Sequence, residues 1–234
     1  MSSSPNTGFR PTRTWYEDAD KYWKGVPSNV DGMLGGLEEV HGPDIRDSLA
    51  FVDKLRQDPG LSFATNYACD CGAGIGRVTK HFLTARFDKV DLVEQNSQFL
   101  QAAANSYLKE ERACGKVVDM FPVGLQQFVP AKGRYDVIWC QWVLSHLTDE
   151  DLAAFLKRCI DGLAPGGIIC VKENVASKGY VLDSEDSSVT RASSVFEKIF
   201  RAAGMTVVAK KVQSDFPDGL FEVNMWALQP SLQE

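Results

Sequence analysis

Three glycines at alternate positions, Gly72, Gly74 and Gly76, constrain this chain more than any other feature. They sit in the stretch Ala68-Cys69-Asp70-Cys71-Gly72-Ala73-Gly74-Ile75-Gly76-Arg77. The residues before them, Phe63 to Ala68, are largely apolar or aromatic and read as a buried strand. The run after them, Val78 to Phe82, is amphipathic and reads as the start of a helix. Strand, glycine turn and helix in that order bring backbone N–H groups close to a nucleotide-like ligand. A Cβ in the turn would block both the bend and the ligand. On the glycines alone, a tight turn without a ligand fits equally well.

The spacing is Gly-x-Gly-x-Gly, not the Gly-x-Gly-x-x-Gly of a dinucleotide site, and Asp70 precedes it. A carboxylate there would repel a pyrophosphate but suits a cation such as a sulfonium or an amino-acid ammonium. The next strand, Lys89 to Glu94, ends in a second carboxylate. Glu94 lies 18 residues past Gly76, near the offset of roughly 20 residues at which an acid grips ribose hydroxyls. Together these features point to an S-adenosylmethionine site.

The rest of the chain sets limits. Its 234 residues fit one α/β domain with a short extension. No apolar run reaches the roughly 18 residues of a membrane span, and no secretory signal is visible. The net charge of −6 disfavours a phosphate-binding surface. There is no basic stripe with interleaved aromatics, and no Asn/Asp-Pro-Pro-Tyr/Phe follows the fourth strand. Neither nucleic acid nor membrane is therefore expected as a partner. The six cysteines include no Cys-x-x-Cys pair, so no metal and a reducing compartment are expected. Cys140 and Cys170 fall in apolar runs and read as core.

Residues 1–14 are rich in Ser, Pro, Thr and Arg and read as a flexible tail. Residues 15–60 read as a helical extension. They hold a short helix, Trp15 to Trp23, an amphipathic one, Asp44 to Arg56, and between them a glycine-rich loop with Met33 and Leu34 at its tip. That loop is either a lid over a site or a connector packed on the core. From 61 to 234 the pattern alternates. A helix is expected over Asn96 to Lys109, and strands over Lys116 to Val123 and Tyr135 to Trp142. Thr148 caps a helix running to Gly162, and Ala164 to Gly167 form a turn before a strand over Ile168 to Val171. A helix over Ser188 to Ala203 and an antiparallel pair, Met205 to Val212 with Leu220 to Leu228, close the chain. Alternation of this kind predicts a doubly wound, mainly parallel sheet. Its ligand rim would gather Asp70 to Gly76, Glu94, Gln126, Gln141 to His146 and Asn174.

The glycine loop, Glu94, the strand Tyr135 to Trp142 and Leu163-Ala164-Pro165-Gly166-Gly167 resemble the class I S-adenosylmethionine-dependent methyltransferases, which implies a seven-stranded sheet. More narrowly, Tyr22-Trp23-Lys24, Asp31 to Gly36, Asp70 to Arg77, Asp136 to Trp142 and Leu182 to Ser188 resemble the protein α-N-terminal methyltransferases, from about Trp15 to Leu228. The resemblance implies methylation of the α-amine of proteins exposing X-Pro-Lys or X-Pro-Arg, in the cytoplasm or nucleus. It implies cofactor contacts from Gly72, Arg77, Glu94, Gln95, Asn96, Leu125, Gln126 and Gln141. It places the peptide against Trp23, Leu34, Gly35, Trp142, Asn174, Asp183, Asp186, Ser188 and Phe221, and catalysis on His146, Asn174 and Asp186. Glu94 stands where relatives can have Asp, and Phe221 where Tyr is expected, which removes one hydroxyl. A small-molecule methyltransferase and an inactive regulator are the alternatives.

The chemistry is coherent. An α-amine titrates near 7.7–8.0, so the site must take a proton and hold nitrogen about 3 Å from the methyl carbon. His146 titrates in the right range, and the charge of Asp186 would raise its pKa; equally, His146 is a helix-start residue satisfying a carbonyl. Asn174 either orients the amine or caps a strand end. Asp183 and Asp186 either receive the substrate's third-position cation or form a solvated loop. Trp23 and Trp142 read as channel walls and Trp139 as core. A second-position proline lets a narrow apolar channel close without stranding an N–H donor.

Overall fold

The computed structural model describes residues 9–231; the first eight residues of the expected tail lie outside them. The extension holds α1 (Trp15–Lys24), α2 (Val30–Met33) and α3 (His41–Gln57). Then follow β1 (Tyr67–Cys71), α4 (Arg77–His81), β2 (Lys89–Val93), α5 (Ser97–Ala102), α6 (Lys109–Ala113), β3 (Val117–Phe121) and β4 (Tyr135–Gln141). Next come α7 (Asp149–Gly162), β5 (Leu163–Ala176), β6 (Tyr180–Asp183), β7 (Ser188–Ala192), α8 (Ser193–Ala202), β8 (Met205–Val212) and β9 (Glu222–Pro230).

Among the described residues the strands form one sheet of nine, ordered β3-β2-β1-β4-β5-β7-β6, with β9 antiparallel to both β5 and β8. Strands β3, β2, β1, β4 and β5 are parallel. The chain leaves β1 toward β2 and β3, then returns to β4 on the other side. Such a reversal opens a crevice at the strands' carboxyl ends. β4 is buried at all of its positions, as a central strand covered on both faces should be. One face of the sheet packs Ile138, Phe155, Phe196 and Trp226, and the other packs Val52, Phe82, Val137 and Trp139.

Several elements differ from the sequence reading. The first strand starts at Tyr67, not Phe63, because the Asp136 carboxylate accepts from the N–H groups of Asn66 and Tyr67 (2.7 and 2.9 Å) and fixes the entry into the sheet. The expected helix over Asn96 to Lys109 is broken by a π turn at Ala103–Tyr107. That turn seats Leu108 beneath Gly76, where a Cβ would lie 2.3 Å from Leu108 Cδ1. Residues Ser188 to Ala192 are strand, not helix: Val189 and Arg191 point inward at a two-residue period, and the strand pairs with both β6 and β5. This hairpin accounts for the two strands beyond the expected seven. Helix α8 ends before Gly204, whose φ of +80° suits the position after a helix. Among the described residues no helix is long and apolar enough to cross a membrane.

Candidate active site

Two cavities meet at the carboxyl ends of β1 and β4. The first lies over the glycine loop and is lined by Gly72, Arg77, Glu94, Gln95, Leu125, Gln126 and Gln141 among others. A Cβ on Gly72 would lie 2.4 Å from Val143, and one on Gly74 2.5 Å from Met33 Sδ; both residues hold positive φ. The two glycines therefore let the loop pass closely between Val143 and Met33. Glu94 ties it to β2: Oε2 accepts from Gly74 N (3.0 Å) and Oε1 from Asn96 N (2.7 Å). Burial raises the pKa of this carboxyl, and those backbone donors pull it back. From below, Arg158 donates to the carbonyls of Leu125 (2.8 Å), Gln126 (3.1 Å) and Phe128 (2.9 Å) and so shapes the turn after β3.

Two expectations for this cavity need correcting. The Asp70 carboxylate does not line the cavity. It is buried and accepts from Thr79 N (3.1 Å) and Oγ1 (2.6 Å), joining β1 to α4, with its pKa pushed up to about 6 by burial. Asn96 does not line the cavity either. It caps α5 through Gln98 N (3.0 Å) and donates Nδ2 to the Trp23 carbonyl (3.2 Å).

The second cavity is lined by Leu34, Asn174, Asp186, Ser188 and Phe221, with Trp23, Met33, Trp142 and His146 shared between the two. The structure thus brings His146, Asn174 and Asp186 together. It does not bring in Gly35, or Asp183, which is exposed at the end of β6 and accepts from Glu185 N (2.8 Å) within the hairpin turn. Leu34 is buried, so the loop tip both packs and lines the cavity. Phe221 is 46% exposed at the rim.

His146 is fully engaged. Its Nε2 accepts from Trp23 Nε1–H (3.0 Å), and Nδ1 lies 3.2 Å from the Ser187 carbonyl, which assigns the neutral Nδ1–H tautomer. Burial lowers its pKa and outweighs the upward pull of Asp186, the reverse of the expected shift. Asp186 is in the opposite position: its Oδ1 is buried and without a partner among the described residues, as is Trp142 Nε1. Trp142 also holds a φ of +52°, a strained backbone for a non-glycine residue.

Two buried charges that sequence reasoning missed grip the turn carrying His146. Glu173 Oε1 accepts from Val143 N (2.8 Å) and Leu144 N (2.7 Å), and Arg191 donates to the Leu144 and Leu147 carbonyls (3.0 and 2.5 Å). Asp149 holds Arg191 in turn (2.8 Å). Burial pushes the Glu173 carboxyl up to about 7. Its place directly before Asn174 was the only sequence signal for it. Apolar lining from Phe99, Phe216 and Leu220 carried none.

A family model described as AdoMet dependent proline di-methyltransferase matches residues 11–229. An α N-terminal protein methyltransferase 1 of Drosophila melanogaster is 47% identical over 225 residues, covering 96% of this chain and 79% of the relative. The N-terminal Xaa-Pro-Lys N-methyltransferase 1 of Bos taurus is 45% identical over 217 residues, covering 93% and 96%. Among solved structures, a SAM-dependent methyltransferase of Leishmania major matches with a TM-score of 0.84 at 37% identity, covering 92% of this chain and 83% of that one. A Burkholderia thailandensis 1,6-didemethyltoxoflavin-N1-methyltransferase with S-adenosylhomocysteine bound shares the fold alone, with a TM-score of 0.71 at 16% identity, covering 99% and 94%.

Proposed function

This chain belongs to the AdoMet-dependent proline di-methyltransferase family, and from that premise we propose that it methylates the α-amino group of proteins exposing X-Pro-Lys or X-Pro-Arg. S-adenosylmethionine is the methyl donor. The first cavity fits that group: Gly72 and Gly74 line it with backbone free of any Cβ, and Arg77 lines it with a guanidinium suited to a carboxylate. Glu94 takes the ribose hydroxyls in this reading and Leu125, Gln126 and Gln141 the nucleoside, supported by their all lining the first cavity. When bound, the cofactor supplies an electrophilic methyl on a sulfonium.

The chain's own residues prepare the nucleophile. Asp186 Oδ1, buried and unpartnered, receives the substrate ammonium and takes its proton, leaving the lone pair free for in-line displacement. His146 does not compete for that proton, since Trp23 occupies its Nε2. It walls the two cavities from a fixed turn instead. The Asn174 amide accepts from the same amine, and the Trp142 N–H donates to a substrate carbonyl. A second-position proline brings no N–H into the apolar throat formed by Leu34 and Trp142. Ser188 and Phe221 line the way out toward the third residue, whose cation faces the acids of the hairpin. The orphaned Asp186 oxygen carries this reading.

The test is mass spectrometry of a Ser-Pro-Lys peptide incubated with the enzyme and cofactor, beside its Nα-acetylated twin and a Ser-Pro-Gln twin. Methylation of the free α-amine of the first alone is expected. Equal methylation of the Gln twin points to a small-molecule amine enzyme, and no methylation at all to a regulator. We place the reaction in the cytoplasm or nucleus, supported by cysteines that are free, five of them buried.

A further inference from the structure

Beneath the first cavity lies a charged network that no part of the methyl transfer yet uses. Lys172, on β5, is fully buried and lines neither cavity. Its Nζ has three acceptors: Asp44 Oδ1 at 2.5 Å, the Asp44 carbonyl at 3.0 Å and Ser48 Oγ at 2.9 Å. Three acceptors around one amine match the three N–H donors of an ammonium. The same Asp44, on α3, accepts from Arg77 Nη1 through Oδ2 (2.7 Å) and from Gln141 Nε2 through Oδ1 (2.7 Å). Two buried cations therefore share one carboxylate. Lys172 and Gln141 occupy one of its oxygens, and only the other is left for Arg77. Arg77 Nη1 also lies 3.2 Å from His41 Nδ1, an uncharged partner in the neutral imidazole, and the guanidinium lines the cavity 5.7 Å from the Trp142 ring. The other carboxyl near Arg77, Asp70, is engaged by Thr79. Asp47 is paired with Lys211 (2.9 Å) and Ser214 (2.7 Å).

We propose that Lys172 is a positioning residue for the cofactor's amino-acid carboxylate: by drawing on Asp44 it leaves Arg77 short of negative charge, a deficit the incoming carboxylate fills. The inference rests on the S-adenosylmethionine reading and extends it to a residue that never touches the ligand. In a low-dielectric site an unbalanced cation attracts an anion far more strongly than at the surface. Asp44 is also the link by which the N-terminal extension sets affinity at a cavity built from the sheet.

Isothermal titration of the full chain with two ligands separates this role from simple structural support. S-adenosylhomocysteine carries the carboxylate; 5′-methylthioadenosine keeps the nucleoside and thioether without it. Lys172→Met, which hands Asp44 wholly to Arg77, is expected to weaken S-adenosylhomocysteine about tenfold or more and to leave methylthioadenosine within about twofold. Asp44→Asn combined with Lys172→Met restores the charge of the wild type and is expected to return S-adenosylhomocysteine to within about threefold of it. Equal weakening of both ligands, no weakening of either, or a double variant no better than the single overturns the proposal. Should Lys172→Met fail to fold, the double variant decides against the wild type, and a tenfold weaker affinity overturns it. Wild-type protein that binds neither ligand defeats the cofactor reading itself; wild-type binding with indifferent variants defeats only the role of Lys172.

Discussion

At the scale of single residues, the two groups chosen as proton acceptors from sequence have come apart. Asp186 has a buried oxygen with nothing to bind, whereas both nitrogens of His146 are engaged by Trp23 and Ser187. Asp186→Asn keeps the shape and removes the basicity. Turnover on a Ser-Pro-Lys peptide should fall by about 10² or more, with S-adenosylhomocysteine affinity by titration calorimetry unchanged. Loss of cofactor affinity would remove Asp186 from its assigned place. Trp23→Phe tests the histidine. The indole N–H can bond Nε2 only while that nitrogen is unprotonated, so its removal should raise the His146 pKa, read from imidazole resonances in a pH titration. A pKa that stays depressed means burial alone sets it. The division of roles between the two was not legible beforehand, because a hydrogen bond between residues 23 and 146 leaves no local pattern.

At the scale of elements, the turn Leu144–His146 is held at its N–H end by Glu173 and at its carbonyl end by Arg191. The Glu173 carboxyl sits at about 7 in the fold against an ordinary 4.5. An acid raised in this way binds its proton more tightly folded than unfolded. Its contribution is therefore full below about 4.5 and is lost as pH rises through 7. Glu173→Gln keeps an acceptor for Val143 and Leu144 without the ionisation. The melting temperature of the variant relative to wild type, by scanning calorimetry, should rise between pH 5 and pH 8. A flat difference would sink the assignment. Elements as such were largely readable. The β4 run is apolar from Val137 to Cys140, Thr148 caps α7 as its type and position imply, accepting from Asp151 N at 3.0 Å, and the glycine loop sits where its spacing put it. The hairpin was not readable, since a strand five residues long whose inward positions include a charged Arg191 has too little alternation to outweigh the strong helical period that follows it. Asp44 was hidden for a related reason. A carboxylate on a helix face reads as solvent-exposed, and only the partners brought by β4, β5 and α4 keep it inside.

At the scale of the whole molecule, the extension is built into the site. Trp15 Nε1 donates to the His146 carbonyl (2.7 Å), Trp23 caps His146 and accepts from Asn96, Met33 lies against Gly74, and Asp44 joins Arg77, Gln141 and Lys172. Phe51, Val52 and Leu55 of α3 also belong to the cluster on one sheet face. A chain reduced to residues 61–234 would take from Lys172 both Asp44 and Ser48. It would also uncover the surface that those three side chains bury, about 1.5–3 kcal/mol each. Together these reach the whole stability of an ordinary domain, about 5–15 kcal/mol. The shortened chain should therefore show no cooperative thermal transition and no near-ultraviolet dichroism from Trp139 and Trp226, both fully buried in the intact protein. A cooperative transition within a few degrees of the full chain would show instead that the sheet carries its own stability. In that case the extension's bonds to His146 and Arg77 would matter for ligand affinity alone.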